Sequence, residues 1–264
     1  MNFRRISALV LRYTFLYSRS VPRVLEMFFW PVMDLLVWGL LTRYLQTGQF
    51  KLPDFIKFLL GAMIFWDILY RAQQATTISF LEDIWARNLI NIFVAPIRLS
   101  EFIIATYCVG FVKILITVSV LGTLAALLYQ FNLFNMGFAL IPLFINLLIM
   151  GWADGMVTTA MIMRWGQAAE ALAWGIPFLL QPFCAAFYPI ETMPAWFRPI
   201  SLAIPATHVF EGMREVLAGH GLSVNRILYA FGLNIIYLVG AALFFRFMYG
   251  QAREKGLLAK LGTQ

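Results

Sequence analysis

Apolar residues run along this chain in blocks, and the polar residues fall mainly between the blocks. A helix that crosses the hydrocarbon layer of a bilayer needs about 20 mostly apolar residues. Six stretches meet that need: Val21–Leu45, Phe55–Leu81, Leu99–Tyr129, Leu133–Met163, Ala168–Pro189 and Arg226–Tyr249. Only Gln130–Asn132 and Asn135 part the third stretch from the fourth, and a merger there would put the chain ends on opposite sides. The pattern predicts an all-α membrane protein with six transmembrane helices in one unit, residues 1–264.

Three segments between the blocks have patterns of their own. In the first, residues 1–20, Arg5, Arg12 and Arg19 recur every seven positions along one helical stripe. Ile6, Leu9, Val10, Tyr13, Leu16 and Tyr17 fill the neighbouring arc, while Leu11 and Phe15 break it. A basic amphipathic helix of this kind lies in the inner headgroup plane. In the second, residues 82–98, Leu81, Ile84, Trp85, Leu89, Ile92 and Phe93 recur at helical spacing until Pro96 closes the run. Such a helix is either a rigid lever for a soluble partner or a passive interfacial helix, and spacing alone favours neither. The third, residues 188–225, is broken by Pro189, Pro194, Pro199 and Pro205. Trp196 and Phe197 suit the membrane–water interface, and Thr207–Ala218 reads as a short helix stopped by Gly219. That helix is too short to span, and it is expected to re-enter the outer leaflet or cover a pore mouth.

Composition narrows the class further. The chain is 61% hydrophobic and 12% charged, against about 45–50% and about 25% in soluble domains. A soluble enzyme, a disordered hub and a secreted disulfide scaffold are excluded. Cys108 and Cys184 sit inside apolar runs and are expected to be small buried hydrophobes, with no metal site. The net charge of +7 serves orientation rather than nucleic acid. With both termini inside, twelve Lys and Arg fall on inner segments and six on outer ones, as the positive-inside rule requires. Residues 1–20 lack the features of a cleaved signal.

Five ionisable residues fall within the blocks: Asp34, Asp67, Arg71, Lys113 and Asp154. Each costs roughly 2.5–3.5 kcal/mol to insert, so each calls for a partner or a role. Asp67 and Arg71 stand four apart on one helix face. Equal depth makes two cross-helix pairs possible, Asp67 with Lys113 and Arg71 with Asp154, while Asp34 has no mate at its depth. These charges either hold spans two, three and four together or line a polar translocation path. Gly151 and Gly155 allow close helix packing, and Pro177 and Pro182 should kink the fifth span. Trp30, Trp38, Trp66, Trp152, Trp165 and Trp174 serve as interfacial anchors or as a sugar-stacking channel.

No H-E-x-x-H or G-x-S-x-G motif is present, and His208 and His220 lack an acid–base partner, so an intramembrane enzyme is not expected. His208 reads instead as a polar cap near the outer helix. An ATP-independent secondary transporter or channel remains the alternative, although the two three-span halves show no internal repeat.

Two stretches carry a family resemblance. One runs Asn88-Leu-Ile-Asn-Ile-Phe-Val-Ala-Pro96 and on through Ile97-Arg-Leu-Ser-Glu-Phe102; the other runs from Tyr188-Pro-Ile-Glu-Thr-Met-Pro194 through Ile204–Arg214 to Gly219. With them the whole chain resembles an ABC-2 type transporter permease, the membrane subunit of an ATP-driven exporter. The resemblance implies ATPase docking at Arg87, Asn88, Asn91, Phe93 and Pro96 of a coupling segment, and an outer gate at Glu191, Trp196, Glu211 and Arg214. Family members often carry acidic residues just before this segment; here they are Glu82 and Asp83, followed by Trp85 and Arg87, a departure. The resemblance also implies a nucleotide-binding ATPase partner, a second permease copy in a homodimer, and contact with membrane lipids. These 264 residues hold no G-x-x-x-x-G-K-[ST] phosphate loop. This chain is therefore expected to bind no cofactor, with ATP and Mg on the partner. The place implied is the bacterial inner membrane, and the cargo a lipid-linked glycan, glycolipid or hydrophobic small molecule.

Overall fold

The computed structural model describes residues 1–47 and 53–257, and its regular structure is helical throughout. In chain order the helices are α1 (Phe3–Ser18), α2 (Val21–Thr47), α3 (Pro53–Trp85), α4 (Leu89–Val94) and α5 (Leu99–Tyr129). They continue as α6 (Leu140–Trp165), α7 (Leu172–Leu180), α8 (Arg198–Leu202), α9 (Pro205–Leu217) and α10 (Val224–Glu254). Among the described residues, four stretches are long and apolar enough to cross a membrane: Val21–Tyr44, Leu99–Tyr129, Leu133–Trp165 and Val224–Glu254.

The break between the third and fourth expected spans is real. Gln130 takes a left-handed conformation (φ 55°) and ends α5. A 3-10 segment, Leu133–Ala139, follows and kinks at Gly137 (φ 56°) before α6 begins. Glycine takes that left-handed backbone without steric cost, which suits Gly137 to the kink.

The fifth expected span, Ala168–Pro189, differs from its expectation. It folds as a 3-10 turn, Gly166–Ala169, then α7 and a further 3-10 turn, Gln181–Cys184. At ~1.5 Å per residue, Leu172–Cys184 reaches only ~20 Å, short of a ~30 Å hydrocarbon core. Pro177 has no N–H to give the carbonyl of Ala173, four residues back. Two side chains of α3 satisfy that carbonyl: Gln73 Nε2 donates to it at 3.2 Å and Gln74 Nε2 at 2.7 Å.

Helix α3 is the centre of the bundle and touches α2, α5, α6, α7 and α9. Gly151 and Gly155 let α6 come up against it backbone to backbone. A Cβ on Gly155 would stand 2.6 Å from the carbonyl oxygen of Gln73, and one on Gly151 2.5 Å from that of Leu69. A buried polar layer crosses this seam. Thr76 and Thr106 share a hydrogen bond of 3.2 Å, Gln73 Nε2 donates to Thr158 Oγ1 at 3.2 Å, and Thr77 Oγ1 donates to the Gly155 carbonyl at 3.3 Å. The layer divides two apolar cores. One gathers Leu60, Phe65, Leu147 and Phe210 toward the α9 end, and the other gathers Tyr13, Phe80, Phe102 and Phe245 toward the α1 end.

Candidate functional site

At the α1 end, α1, α3 and α5 form an apolar cluster that Ile92 of α4 joins. Helix α3 runs on through Leu81, Ile84 and Trp85, so the separate helix of the 82–98 segment is the six residues of α4 alone, shorter than the sequence pattern suggested. Arg87 ends α3 in the left-handed region (φ 51°), where glycine is usual. The stop is closed by Asn88 N donating to the Asp83 carbonyl at 2.9 Å and Arg87 N to that of Ile84 at 2.9 Å. Ala95 is extended, as a residue before proline should be, and Pro96 closes α4. Ile92 is buried beneath α4, while Asn91, Val94, Pro96 and the nearby Trp85 are exposed. Asn91 Nδ2 donates to Asn88 Oδ1 at 2.9 Å, which stiffens the first turn. The side chain of Phe93 lies outside the described residues.

Helix α1 is fastened to this junction by buried carboxylates. The Arg12 guanidinium pairs with Asp83, whose Oδ2 also accepts from Tyr13 Oη at 2.7 Å. Burial and the Asp83 charge push the Tyr13 phenol well above its ordinary range, so it stays a donor. Glu101, at the start of α5, accepts from Asn2 N at 2.7 Å and from Arg98 N at 2.9 Å, and Arg5 lies 3.7 Å away. Arg23 Nε meets Glu82 at 3.2 Å. Two arginines of the predicted basic stripe, Arg5 and Arg12, are therefore turned onto protein carboxylates. These contacts span about 70 to 100 positions of sequence, and helical spacing cannot show them.

Of the pairings the sequence allows among the charges in the middle of the bundle, the local one forms and the two cross-helix ones do not. Arg71 Nε meets Asp67 Oδ2 at 2.6 Å, the i,i+4 pair. Lys113 does not meet Asp67; its Nζ lies 3.9 Å from the Tyr17 ring centroid, beneath α1. Asp154 does not meet Arg71; it lies within electrostatic reach of Cys184 and Tyr237, and its Oδ2 has no hydrogen-bond partner among the described residues. Equal depth gave the height of these groups and left their direction around each helix unread. Asp34 is exposed on α2, within reach of the Arg71 charge. Cys184 is buried as expected, whereas Cys108 is exposed on α5. Three tryptophans are taken up by packing: Trp38 stacks on Phe187, Trp152 stacks on Tyr107, and Trp66 is buried. Trp30, Trp165 and Trp174 are exposed.

At the α9 end, Glu211 and Arg214 are brought together and form a clasp. Glu211 Oε1 accepts from Arg214 Nη2 at 2.7 Å and from Ile190 N at 2.9 Å. Arg214 also donates to the carbonyls of Ala185 (2.8 Å) and Ala186 (3.2 Å), just past the left-handed turn at Ala185. His208 Nε2 lies 2.8 Å from the Leu202 carbonyl, so it does cap α8, and its ring meets Tyr229 edge to face. Gly219 (φ +83°) follows the end of α9, as its place after the last apolar turn predicted. Glu191 and Trp196 are exposed and stand apart from the clasp; Glu191 contributes its carbonyl to Arg198 Nη2 at 2.7 Å.

The family model for the ABC-2 type transporter matches residues 6–218. The chain belongs to the ABC-2 type transporter family. It is also 27% identical over 188 residues to ABC transporter G family member 20 of Dictyostelium discoideum, a match covering 70% of this chain and 25% of that protein. The chain thus spans about a quarter of the length of the curated relative it matches.

As an ABC-2 chain it is a multi-pass membrane component of an ABC transporter. The matched residues include Arg12, Tyr13 and Asp83, α4, the α3–α6 seam and the clasp. Sequence reading had named both ends of this ABC-2 bundle. It missed Tyr13, Glu101 and the two glutamines that hold α7, since nothing in their local pattern marks them.

Proposed function

We propose that this chain is the membrane permease of an ATP-driven exporter, with six spans and both termini in the cytoplasm. In this reading α3 and the kinked α7 segment serve as the second and fifth spans. Helix α1 lies at the inner interface, α4 is the coupling helix, and α8–α9 re-enter from the outer side. Two copies form the path, and nucleotide-binding units with ATP and Mg dock at Arg87, Asn88, Asn91, Phe93 and Pro96. Movement of α4 is handed to α3, α5 and α1 together, because buried Asp83 and Glu101 tie α1 to α3 and α5 while Ile92 seats α4 in the apolar cluster they share. That joint is the observation that carries the reading. An acidic side chain cut off from water keeps its partners in register, so a push on α4 tilts the bundle instead of bending a loop.

The path is assigned to the partly exposed face of α2, α3 and α7. Asp34, the Asp67–Arg71 pair, Gln74, Tyr70 and Phe178 line it, the last two with ring centroids 5.8 Å apart. Asp154 and Lys113 are placed behind it, as groups that hold helices. Glu191 and Trp196 form the outer rim, and Glu211 with Arg214 braces it. A face of few charges and several aromatic rings suits a lipid-linked glycan, a glycolipid or a hydrophobic small molecule. The bacterial inner membrane is the proposed location.

The test is co-purification followed by turnover. The chain should retain a nucleotide-binding partner, and Asn91→Ala with Val94→Glu should leave ATP hydrolysis running while transport falls. Unchanged transport in that double variant would remove α4 from the docking role. Mass spectrometry of material retained by the assembly, with ATPase stimulation by each candidate, would fix the cargo.

A further inference from the structure

Where α1 turns into α2, the side chains of Arg12, Phe15, Leu16, Arg19, Ser20 and Arg23 line an open groove of about 510 Å³. Steps of three and four residues keep these positions on one face across the bend. Two of the three arginines are anchored from behind. Arg12 gives Nη1 and Nη2 to Asp83, while Arg23 gives Nε to Glu82 and Nη1 to the Leu16 carbonyl at 3.2 Å. A guanidinium carries five N–H donors, so both keep donors for a ligand. Arg19 has no carboxylate partner among the described residues; its guanidinium lies 5.2 Å from the Phe15 ring centroid. The groove therefore holds one uncompensated positive charge beside two pre-oriented forks, the donor set that suits phosphate oxygens.

Its rim is apolar. Leu11, Phe15, Val21, Val24 and Leu25 are all exposed beside it. Leu11 and Phe15 are the residues that spoil the amphipathic pattern of α1, and the rim gives them a place. We propose that this groove binds the phosphate of an anionic phospholipid, with the acyl chains lying along Phe15, Val21 and Leu25. A free phosphate ion shares the head chemistry but makes no use of the rim. Occupancy would hold Arg12 and Arg23 in place and so steady their contacts with Asp83 and Glu82. The inference rests on the proposed membrane placement of α1 and not on the coupling role of α4.

The experiment uses the full chain in nanodiscs of phosphatidylcholine containing phosphatidylglycerol as the minor lipid. After release into detergent, native mass spectrometry reads the phosphatidylglycerol retained per chain. Wild type should retain it in preference to phosphatidylcholine. Arg19→Gln should weaken that retention about fivefold, the effect of one basic residue near an anionic surface, and Arg19→Lys should recover most of it. Inorganic phosphate should fail to displace the lipid. Equal retention of the two lipids by wild type, or Arg19→Gln behaving as wild type, would overturn the site. Displacement by inorganic phosphate alone would overturn its assignment to a lipid. No nucleotide or partner enters the measurement, so its failure and that of the coupling reading are distinguishable.

Discussion

The junction around α4 and the clasp around α9 both rest on buried acid–arginine contacts, yet they are wired differently. At the clasp, Glu211 and Arg214 are three residues apart and bond to a turn about 21 to 29 positions away. Pro205 opens α9, and its residues from Pro205 to Met213 are buried. Such a unit is braced from within and moves as one block. At the junction, Asp83 and Glu101 both reach across to α1 and its N-cap, and exposed Asn91, Val94 and Trp85 stand above it. A left-handed non-glycine residue, Arg87, forms its corner. In the proposed mechanism the clasp therefore stores stability, whereas the junction relays position. Where a carboxylate finds its arginine, within one segment or across several, separates a brace from a lever.

Arg214→Ala should have the largest effect. It strips donors from the Ala185 and Ala186 carbonyls and leaves Glu211 buried without its cation, at a cost of about 3 kcal/mol. Thermal unfolding should drop, and ATP hydrolysis and transport should fall together. Asp83→Asn should cost less, about 2 kcal/mol, since the amide still accepts from Tyr13 but no longer balances Arg12. Denaturant unfolding measures the loss, and here transport should fall further than hydrolysis does. If Asp83→Asn lowered both in step, as Arg214→Ala does, the contrast between the two ends would be gone.

Arg87→Gly should stabilise the fold by about 1 kcal/mol by relieving the left-handed strain. Coupling should nevertheless weaken, because glycine softens the corner of the lever. A variant more stable and equally well coupled would show that the corner carries no load. The smallest effect concerns pH. Burial holds the His208 imidazole below its ordinary value of 6.5, with Arg226 adding to this and the Leu202 carbonyl and Glu211 opposing it. The unfolded chain then binds more protons as pH falls through that value, so stability falls with acidification between 6.5 and the lowered folded value. Melting curves across that window should show the drop, and His208→Gln should flatten it.

What the sequence made legible follows from range. Helices α2, α5, α6 and α10 could be read because each carries its own apolar length, and the Gln130 break could be read because polarity and backbone agree there. The α7 segment was legible as an apolar stretch kinked at its prolines, while its shortening by Pro177 and the 3-10 turns was not. The clasp residues were legible as a local motif. The junction was only half legible: Arg87, Asn88, Asn91 and Pro96 lie in one run, but Tyr13 and Glu101 meet it through folding alone. The proposed Asp67–Lys113 and Arg71–Asp154 pairs failed for the same reason, since depth along a helix does not fix which neighbour a side chain faces. Leu11 and Phe15 show the converse, a local irregularity that gains meaning only beside the α1–α2 groove.

The central claim is that buried carboxylates joining α1 to α3 and α5, with α4 seated on them through Ile92, make one lever. Its most direct test is the number of ATP hydrolysed per molecule transported in proteoliposomes of the assembled transporter carrying Asp83→Ala. A lever cut at that point predicts hydrolysis that continues while transport fails, so the ratio rises steeply. A ratio equal to that of wild type would contradict the account.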